Sequence, residues 1–122
     1  FYKVDNFKII GDRDKLIEIF TNLIDNAIKY SDKNKEVSIT FKKEGDLNIV
    51  SVADQGIGIP KESIHRITER FFTVDPSKSR SVGGTGLGLA IVKHLVSQHR
   101  AEMLISSIEN QGTTVDIKFN AL

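Results

Sequence analysis

The chain has 122 residues and a net charge of +1 from 17 basic and 16 acidic side chains. This length predicts one domain spanning residues 1–122, and the balanced charge gives no reason to expect nucleic acid or a membrane surface as a direct partner. The chain has no cysteine, which excludes disulfides and thiolate metal sites. It begins at Phe1 without a methionine, so we expect a fragment of a longer protein.

The first half predicts a strand, a helix and a hairpin. Residues 1–10 carry β-formers. Asp12 is suited to cap a helix, which apolar spacing then predicts from about 14 to 30. Alternating residues predict strands over 37–41 and 47–52, with a hairpin turn over 43–46. Pro60 favours a short helix over 61–67.

The second half predicts a loop, a helix and two strands. Residues 71–82 have no clear period, and we expect a lid that is poorly ordered without ligand. An amphipathic helix follows, whose inward residues are predicted to be Leu87, Ala90, Ile91, Leu95 and Val96. Residues 103–108 and 114–119 predict the last strands. Helices on one face of a mixed β-sheet give a two-layer α/β sandwich.

The first helix carries polar residues that its apolar face does not explain. Asn22, Asn26 and Tyr30 are spaced i, i+4, i+8 and line one edge of the apolar stripe. An amide oxygen can complete a magnesium shell made of phosphate and water. Lys29 could reach a phosphate, and Tyr30 could pack on a base. The alternative is an ordinary solvated helix flank.

Two glycine runs suggest a nucleotide site. The first runs from Asp54 to Ile59, where a strand ends. Its carboxylate can accept a hydrogen bond from an exocyclic amine, which adenine has and guanine lacks at that position. Gly56 and Gly58 would let the backbone turn beneath the base. The alternative is a plain turn after a strand.

The second glycine run, residues 84–89, opens directly into a helix. Free N–H groups and the helix dipole make such an end an anion site. Neither a Walker loop nor a dinucleotide fingerprint matches it, because Leu89-Ala90 stands where a Walker loop needs Lys-Ser or Lys-Thr. Arg70, Lys78 and Arg80 precede it and could neutralise phosphate charge. The alternatives are a flexible hinge and a solvated charged loop.

Taken in order, these motifs resemble the catalytic, ATP-binding domain of bacterial sensor histidine kinases. Residues 22–30 look like the N box of that family, 54–58 like its G1 box and 69–72 like its F box. Residues 84–89 look like the G2 box and 112–113 like the last glycine motif. The sequences of residues 68–71 and 88–94 are especially similar to those of the phosphate-regulon sensor kinases.

The resemblance implies a Bergerat-type sandwich that binds ATP and Mg²⁺ under a mobile lid. Asn26 would be the magnesium ligand, Asp54 would bind the adenine amine, and the remaining residues would surround the base or the phosphates. The full set of implied nucleotide-binding residues is Asn22, Asn26, Lys29, Tyr30, Asp54, Gly56, Gly58, Ile59, Arg70, Phe71, Lys78, Arg80, Gly84, Thr85, Gly86, Leu87, Gly88, Leu89 and Thr113.

The resemblance also implies a protein histidine kinase. ATP would phosphorylate a histidine on a separate dimerisation domain of the same protein, and a response regulator would receive the phosphate. His65, His94 and His99 lack the sequence context of the acceptor. We expect a cytoplasmic domain of a parent protein anchored in the bacterial inner membrane.

One position bears on mechanism. Gyrase and the Hsp90 chaperones, which share this fold, place a water-activating glutamate one turn before the magnesium asparagine, where this chain has Asn22. An amide cannot act as a base near neutral pH, which favours a kinase over a hydrolase. The alternatives are a non-catalytic nucleotide sensor and a serine kinase or ATPase of the same fold. Arg100-Ala101 departs from the family, which usually has a glycine pair there.

Overall fold

The computed structural model describes residues 9–31, 34–69 and 88–120. In these ranges the elements are α1 (Arg13–Lys29), β1 (Val37–Glu44), β2 (Leu47–Asp54), a 3-10 turn (Lys61–Ser63), α2 (Gly88–Gln98), β3 (Glu102–Ile108) and β4 (Gly112–Asn120). Most of the predicted first strand and all of the predicted lid lie outside the described residues. Within the described ranges, neither α-helix combines the length and the apolar character needed to cross a membrane.

The α1 helix begins at the predicted cap. Asp12 has extended backbone dihedrals and its Oδ1 accepts a hydrogen bond from the Lys15 N–H at 3.1 Å, which satisfies one of the free donors of the first turn. The helix ends at Tyr30, whose N–H donates to the Asn26 carbonyl at 3.1 Å. The prediction of this helix is therefore confirmed to within one residue at each end.

The described strands form one sheet in the order β1-β2-β4-β3, and each pairing is antiparallel. The β1–β2 hairpin is confirmed, but its turn is shorter than predicted. Glu44 pairs with Leu47, so Gly45 and Asp46 alone make the loop. Gly45 has a φ of +58°, which lets two residues reverse the chain where four were predicted.

The core lies between the two helices and one face of the sheet. Both helices and the sheet contribute to it. Its largest fully buried side chains are Ile19 of α1, Val92 of α2 and Ile117 of β4. This arrangement confirms the predicted two-layer α/β fold. The prediction that Ile91 faces inward is wrong, because its side chain is 38% exposed. It lies about 100° around the helix from Val92, at the flank of the buried stripe.

The α2 helix ends in a tight turn that requires a left-handed residue. The Arg100 N–H donates to the Ser97 carbonyl and the Ala101 N–H to the Val96 carbonyl, both at 3.1 Å. These two bonds define a Schellman cap. Arg100 takes a φ of +53° at the position where glycine is favoured. The turn therefore forms without the glycine pair and holds an arginine in a strained conformation.

Candidate nucleotide-binding site

The predicted site residues converge where β2 ends, between α1, the start of α2 and the start of β4. Eleven of them are described, namely Asn22, Asn26, Lys29, Tyr30, Asp54, Gly56, Gly58, Ile59, Gly88, Leu89 and Thr113. The other predicted residues lie outside the described part of the chain, namely Arg70, Phe71, Lys78, Arg80, Gly84, Thr85, Gly86 and Leu87.

Asp54, the last residue of β2, has one carboxylate oxygen fixed by the backbone. Its Oδ1 accepts hydrogen bonds from the Gly56 N–H at 2.9 Å and the Thr113 N–H at 3.2 Å. The first bond is that of a plain Asp-Gly turn, but the second comes from another strand. Asp54 is half-buried, and its Oδ2 has no hydrogen bond to the described residues. One oxygen therefore orients the carboxylate, and the other is not engaged by the described residues.

The first glycine run packs closely against its neighbours. A Cβ at Gly56 would overlap the carbonyl of Tyr30, the cap of α1, and the Ile57 N–H donates to that same carbonyl at 3.2 Å. The Ile57 carbonyl in turn accepts from the Asn110 N–H at 2.6 Å. The run is therefore clamped between α1 and the β3–β4 turn, and its glycines serve close backbone approach.

Gly112 closes the same end of the site from β4. Its φ is +143°, and a Cβ there would overlap the carbonyl of Asp54. Both the backbone conformation and the missing side chain are therefore required for the start of β4 to approach the end of its neighbour β2 so closely. This contact places the Thr113 N–H on the Asp54 carboxylate.

The start of α2 lies over the two asparagines of α1. A Cβ at Gly88 would be 3.4 Å from Asn26 Nδ2, 3.6 Å from Asn26 Oδ1 and 3.7 Å from Asn22 Oδ1. Asn22 Nδ2 donates to the Glu18 carbonyl at 2.8 Å, which holds that amide along its own helix. The half-buried Asn26 side chain makes no hydrogen bond to the described residues. This end of the site therefore places an amide without a hydrogen bond to the described residues beside the start of α2.

The remaining described residues line the edges of the site. Lys29 is exposed in the last turn of α1, and Tyr30 is half-buried at its cap. The half-buried Leu89 side chain packs against the core. Within the described ranges, no three Asp, Glu, His or Cys side chains are grouped to hold a metal ion.

Ser107 is a site residue that the sequence reasoning missed. Its hydroxyl accepts from the Ile59 N–H at 2.8 Å and lies 3.0 Å from the Gly112 carbonyl and 2.9 Å from Thr113 Oγ1. A signal was present in the alternation of β3, where Met103, Ile105 and Ser107 are the half-buried positions. A hydroxyl on the otherwise apolar half-buried face of a strand indicates a local hydrogen-bonding role.

Comparison with known proteins identifies the family. Residues 11–121 match the model of the histidine kinase-, DNA gyrase B- and HSP90-like ATPases. The chain is 44% identical over 106 residues to the sensor histidine kinase WalK of Bacillus subtilis, covering 85% of the chain and 17% of WalK. It is 42% identical over 109 residues to the phosphate regulon sensor protein PhoR of Pseudomonas aeruginosa, covering 89% of the chain and 25% of PhoR.

Solved structures agree with these relatives. The catalytic domain of the histidine kinase ThkA superposes with a TM-score of 0.80 at 27% identity, covering 96% of this chain and 74% of that one. Full-length ShkA in complex with AMPPNP superposes with a TM-score of 0.76 at 28% identity, covering 93% of this chain and 23% of that one. The predicted resemblance is thus confirmed, with WalK as similar as the phosphate-regulon sensor. The chain therefore belongs to the histidine kinase-, DNA gyrase B- and HSP90-like ATPase family, as a domain of the kind that sensor histidine kinases carry.

Proposed function

We propose that this chain is the ATP- and Mg²⁺-binding catalytic domain of a sensor histidine kinase. It donates the γ-phosphate of ATP to a histidine on a separate dimerisation domain, from which a response regulator receives it. The observation that carries the proposal is the meeting of three parts in one site: the oriented Asp54 carboxylate, the paired asparagines of α1 and the N-terminus of α2. The structural neighbour ShkA holds the ATP analogue AMPPNP, which supports a nucleotide here.

The base end suits adenine. Asp54 Oδ1 is engaged by two backbone N–H groups, so Oδ2 is the oxygen that accepts from the exocyclic amine. Guanine has a carbonyl oxygen at that position and would place two acceptors against each other. Tyr30, at the end of α1, flanks the base. The proposed site therefore prefers ATP to GTP.

Asn26 is the residue that would hold Mg²⁺ brought in by the nucleotide. Mg²⁺ prefers six oxygen ligands and usually keeps several waters, with one or two protein oxygens and substrate phosphates completing the shell. Asn26 Oδ1 fits this role, since its amide makes no hydrogen bond to the described residues and lies close to Gly88, whereas those residues contain no acidic cluster for a resident ion. Bound Mg²⁺ would neutralise phosphate charge. The phosphate contacts of Arg70, Lys78, Arg80 and residues 84–87 stay predictions.

The site lacks a group that activates water at the position where related ATPases have one. Asn22 occupies it, and its amide already donates to the Glu18 carbonyl. An amide does not take up a proton near neutral pH. Catalysis would then consist of positioning and charge neutralisation at the γ-phosphate, with the histidine supplied by the other domain.

The proposed activity belongs to a longer parent protein, of which this chain is one domain. The relatives WalK and PhoR are named as sensors, and the chain spans 17% and 25% of their lengths. We place the chain on the cytoplasmic side of a parent anchored in the bacterial inner membrane. Its partners there are the dimerisation domain and the receiver domain of a response regulator, without direct contact to lipid or nucleic acid.

Phosphotransfer in trans tests the proposal. The chain is mixed with Mg²⁺, radiolabelled ATP and a separately expressed hairpin domain that a sibling kinase is known to phosphorylate. The expected product is acid-labile phosphohistidine on the hairpin. Asn26→Ala should abolish labelling, whereas Asn120→Ala, an exposed asparagine at the end of β4, should not.

Three results would contradict the proposal. An unlabelled hairpin that the sibling kinase still labels would refute catalysis by this chain. Tight ADP binding without any transfer would indicate a nucleotide-sensing module. Steady phosphate release by the chain alone would indicate an ATPase.

A further inference from the structure

The Ser107 hydroxyl joins three segments around the base end of the site. It bonds to Ile59 at the end of the first glycine run, and to Gly112 and Thr113 at the start of β4, while Ser107 itself belongs to β3. The role of this hydroxyl is therefore to form hydrogen bonds between these segments. Ser107 makes no hydrogen bond to Asp54 within the described residues, so it acts on that carboxylate only through its neighbours.

The Ser107 hydroxyl has a single proton, and this determines which group donates in each of its three hydrogen bonds. A serine hydroxyl has one proton to donate and two lone pairs to accept with. The Ile59 N–H occupies one lone pair. All three contacts are satisfied together when Ser107 donates to the Gly112 carbonyl and Thr113 donates into the second lone pair. The hydroxyl is then saturated and has no free proton for a ligand.

Thr113 transmits this arrangement to Asp54. The Thr113 N–H donates to Asp54 Oδ1 at 3.2 Å, so the position of the Thr113 backbone decides how well the carboxylate is held. The Ser107 hydroxyl bonds to the side chain of Thr113 and to the carbonyl of the preceding residue, Gly112. Loss of the hydroxyl would release both contacts and leave the half-buried Ile59 N–H without its acceptor.

We propose that Ser107 is a positioning residue for base recognition. By holding Ile59, Gly112 and Thr113 together, it keeps Asp54 Oδ2 aligned with the exocyclic amine of adenine, although it does not touch the nucleotide. The inference rests on the proposed ATP site. It predicts that Ser107 contributes to the choice between adenine and guanine and contributes nothing to the phosphate end.

Equilibrium binding of ATP and GTP by calorimetry tests this role. Ser107→Ala should weaken ATP binding about tenfold, as expected when net hydrogen bonding is lost. GTP binding should change little, because guanine gains nothing from an aligned carboxylate, so the ATP-to-GTP preference should fall. Ser107→Thr, which restores a hydroxyl, should recover most of that preference. Ser106→Ala, the exposed neighbour on the opposite face of β3, is the matched control and should behave as the unaltered chain.

A second ligand pair separates the two ends of the site. The fold-loss of Ser107→Ala should be the same for ATP with Mg²⁺ and for ADP in the presence of a chelator, since the defect lies at the base. If Ser107→Ala does not fold, Ser107→Cys, which keeps the volume with a weaker donor, should show the same loss of preference.

The results that would overturn the inference are distinct from those that would overturn the function. An unchanged ATP-to-GTP ratio in Ser107→Ala, or a Ser107→Thr variant no better than alanine, would reduce Ser107 to a structural residue while the ATP site stands. Failure of the unaltered chain to bind ATP would overturn the proposed function and this inference with it.

Discussion

The two ends of the proposed site are built in different ways. At the base end, Asp54, Thr113 and Ser107 are joined by hydrogen bonds of 2.9–3.2 Å, and the backbone segments approach so closely that Gly56 and Gly112 admit no side chain. At the phosphate end, the Asn26 side chain makes no hydrogen bond to the described residues, and a Cβ at Gly88 would stand at ordinary van der Waals distance from it.

This difference has a physical reason. A rigid, flat base is recognised by groups whose directions are fixed beforehand, since an ordered acceptor loses little entropy on binding. A magnesium ion with its phosphates and waters requires donors that can adjust to six-coordinate geometry. We therefore expect substitutions at the base end to disturb the fold together with binding, and substitutions at the phosphate end to change chemistry while the fold persists.

Gly112→Ala should have the largest effect, because it strikes the most closely packed point of the base end. The new Cβ would overlap the Asp54 carbonyl at a φ of +143°. We expect the free energy of unfolding to fall by about 2 to 3 kcal/mol, with ATP binding lost. Denaturant titration and calorimetry measure the two quantities.

Gly45→Ala is the matched control for that substitution. Gly45 also has a positive φ, +58°, but a Cβ there would meet nothing within 4 Å. It should cost about 1 kcal/mol from backbone conformation alone and leave ATP affinity unchanged. Equal losses of affinity in the two variants would mean that the base end is not specially sensitive.

Asp54→Asn should have the next largest effect and should leave the fold in place. The amide oxygen can still accept from the Gly56 and Thr113 N–H groups, but the amide nitrogen replaces the acceptor that would face adenine. We expect ATP affinity to fall about 10- to 100-fold, the range for hydrogen bonds to a charged group. Asp116→Asn, whose carboxylate accepts from Ser51 instead, should bind ATP normally.

Asn22→Glu, at the phosphate end, should change the chemistry of the site while the fold persists. A carboxylate at this position supplies the base that the chain lacks, so ATP hydrolysis by the isolated chain should rise, by about tenfold if the geometry is only partly suitable. Asn22→Gln has the same side-chain length without a base and should not hydrolyse faster. A phosphate-release assay measures both variants. Equal hydrolysis rates in Asn22→Glu and Asn22→Gln would show that the lack of a base at this position is not what protects ATP from hydrolysis.

Local pattern predicted the elements well where one periodicity dominates. The apolar spacing from Leu16 to Ala27 gave α1 to within one residue, and alternation gave the strand pairs. The length of the hairpin turn and the orientation of Ile91 were predicted wrongly, because the first depends on the conformation of Gly45 and the second on how α2 is rotated against the sheet. Neither quantity is encoded in hydropathy.

The sequence was enough to choose the candidate site residues by type, but not to find the contacts that hold them. Asn22, Asn26, Asp54 and the glycines stand out because such residues are unusual where they occur, and the structure brings the described ones together. Ser107 did not stand out, because a serine in a strand is ordinary until its partners are known. The donors to Asp54 and Ser107 are backbone groups of other segments, and such contacts are set by tertiary packing alone.

Arg100→Gly should have the smallest effect and should lie outside both ends of the site. Arg100 occupies the left-handed position of the Schellman cap at the end of α2, with a φ of +53°. Glycine relieves about 1 to 2 kcal/mol of backbone strain, offset by about 0.5 to 1 kcal/mol of added chain entropy. A net gain of about 0.5 to 1 kcal/mol should raise the melting temperature by about 2 to 5 °C. Arg100→Ala keeps a Cβ and should gain little, so equal stabilisation by both variants would mean that the arginine side chain, rather than its backbone conformation, is unfavourable. Because α2 begins at Gly88, beside the asparagines, an unchanged ATP affinity in the stabilised variant would show that the phosphate end depends on its local amides and not on the overall rigidity of the helix.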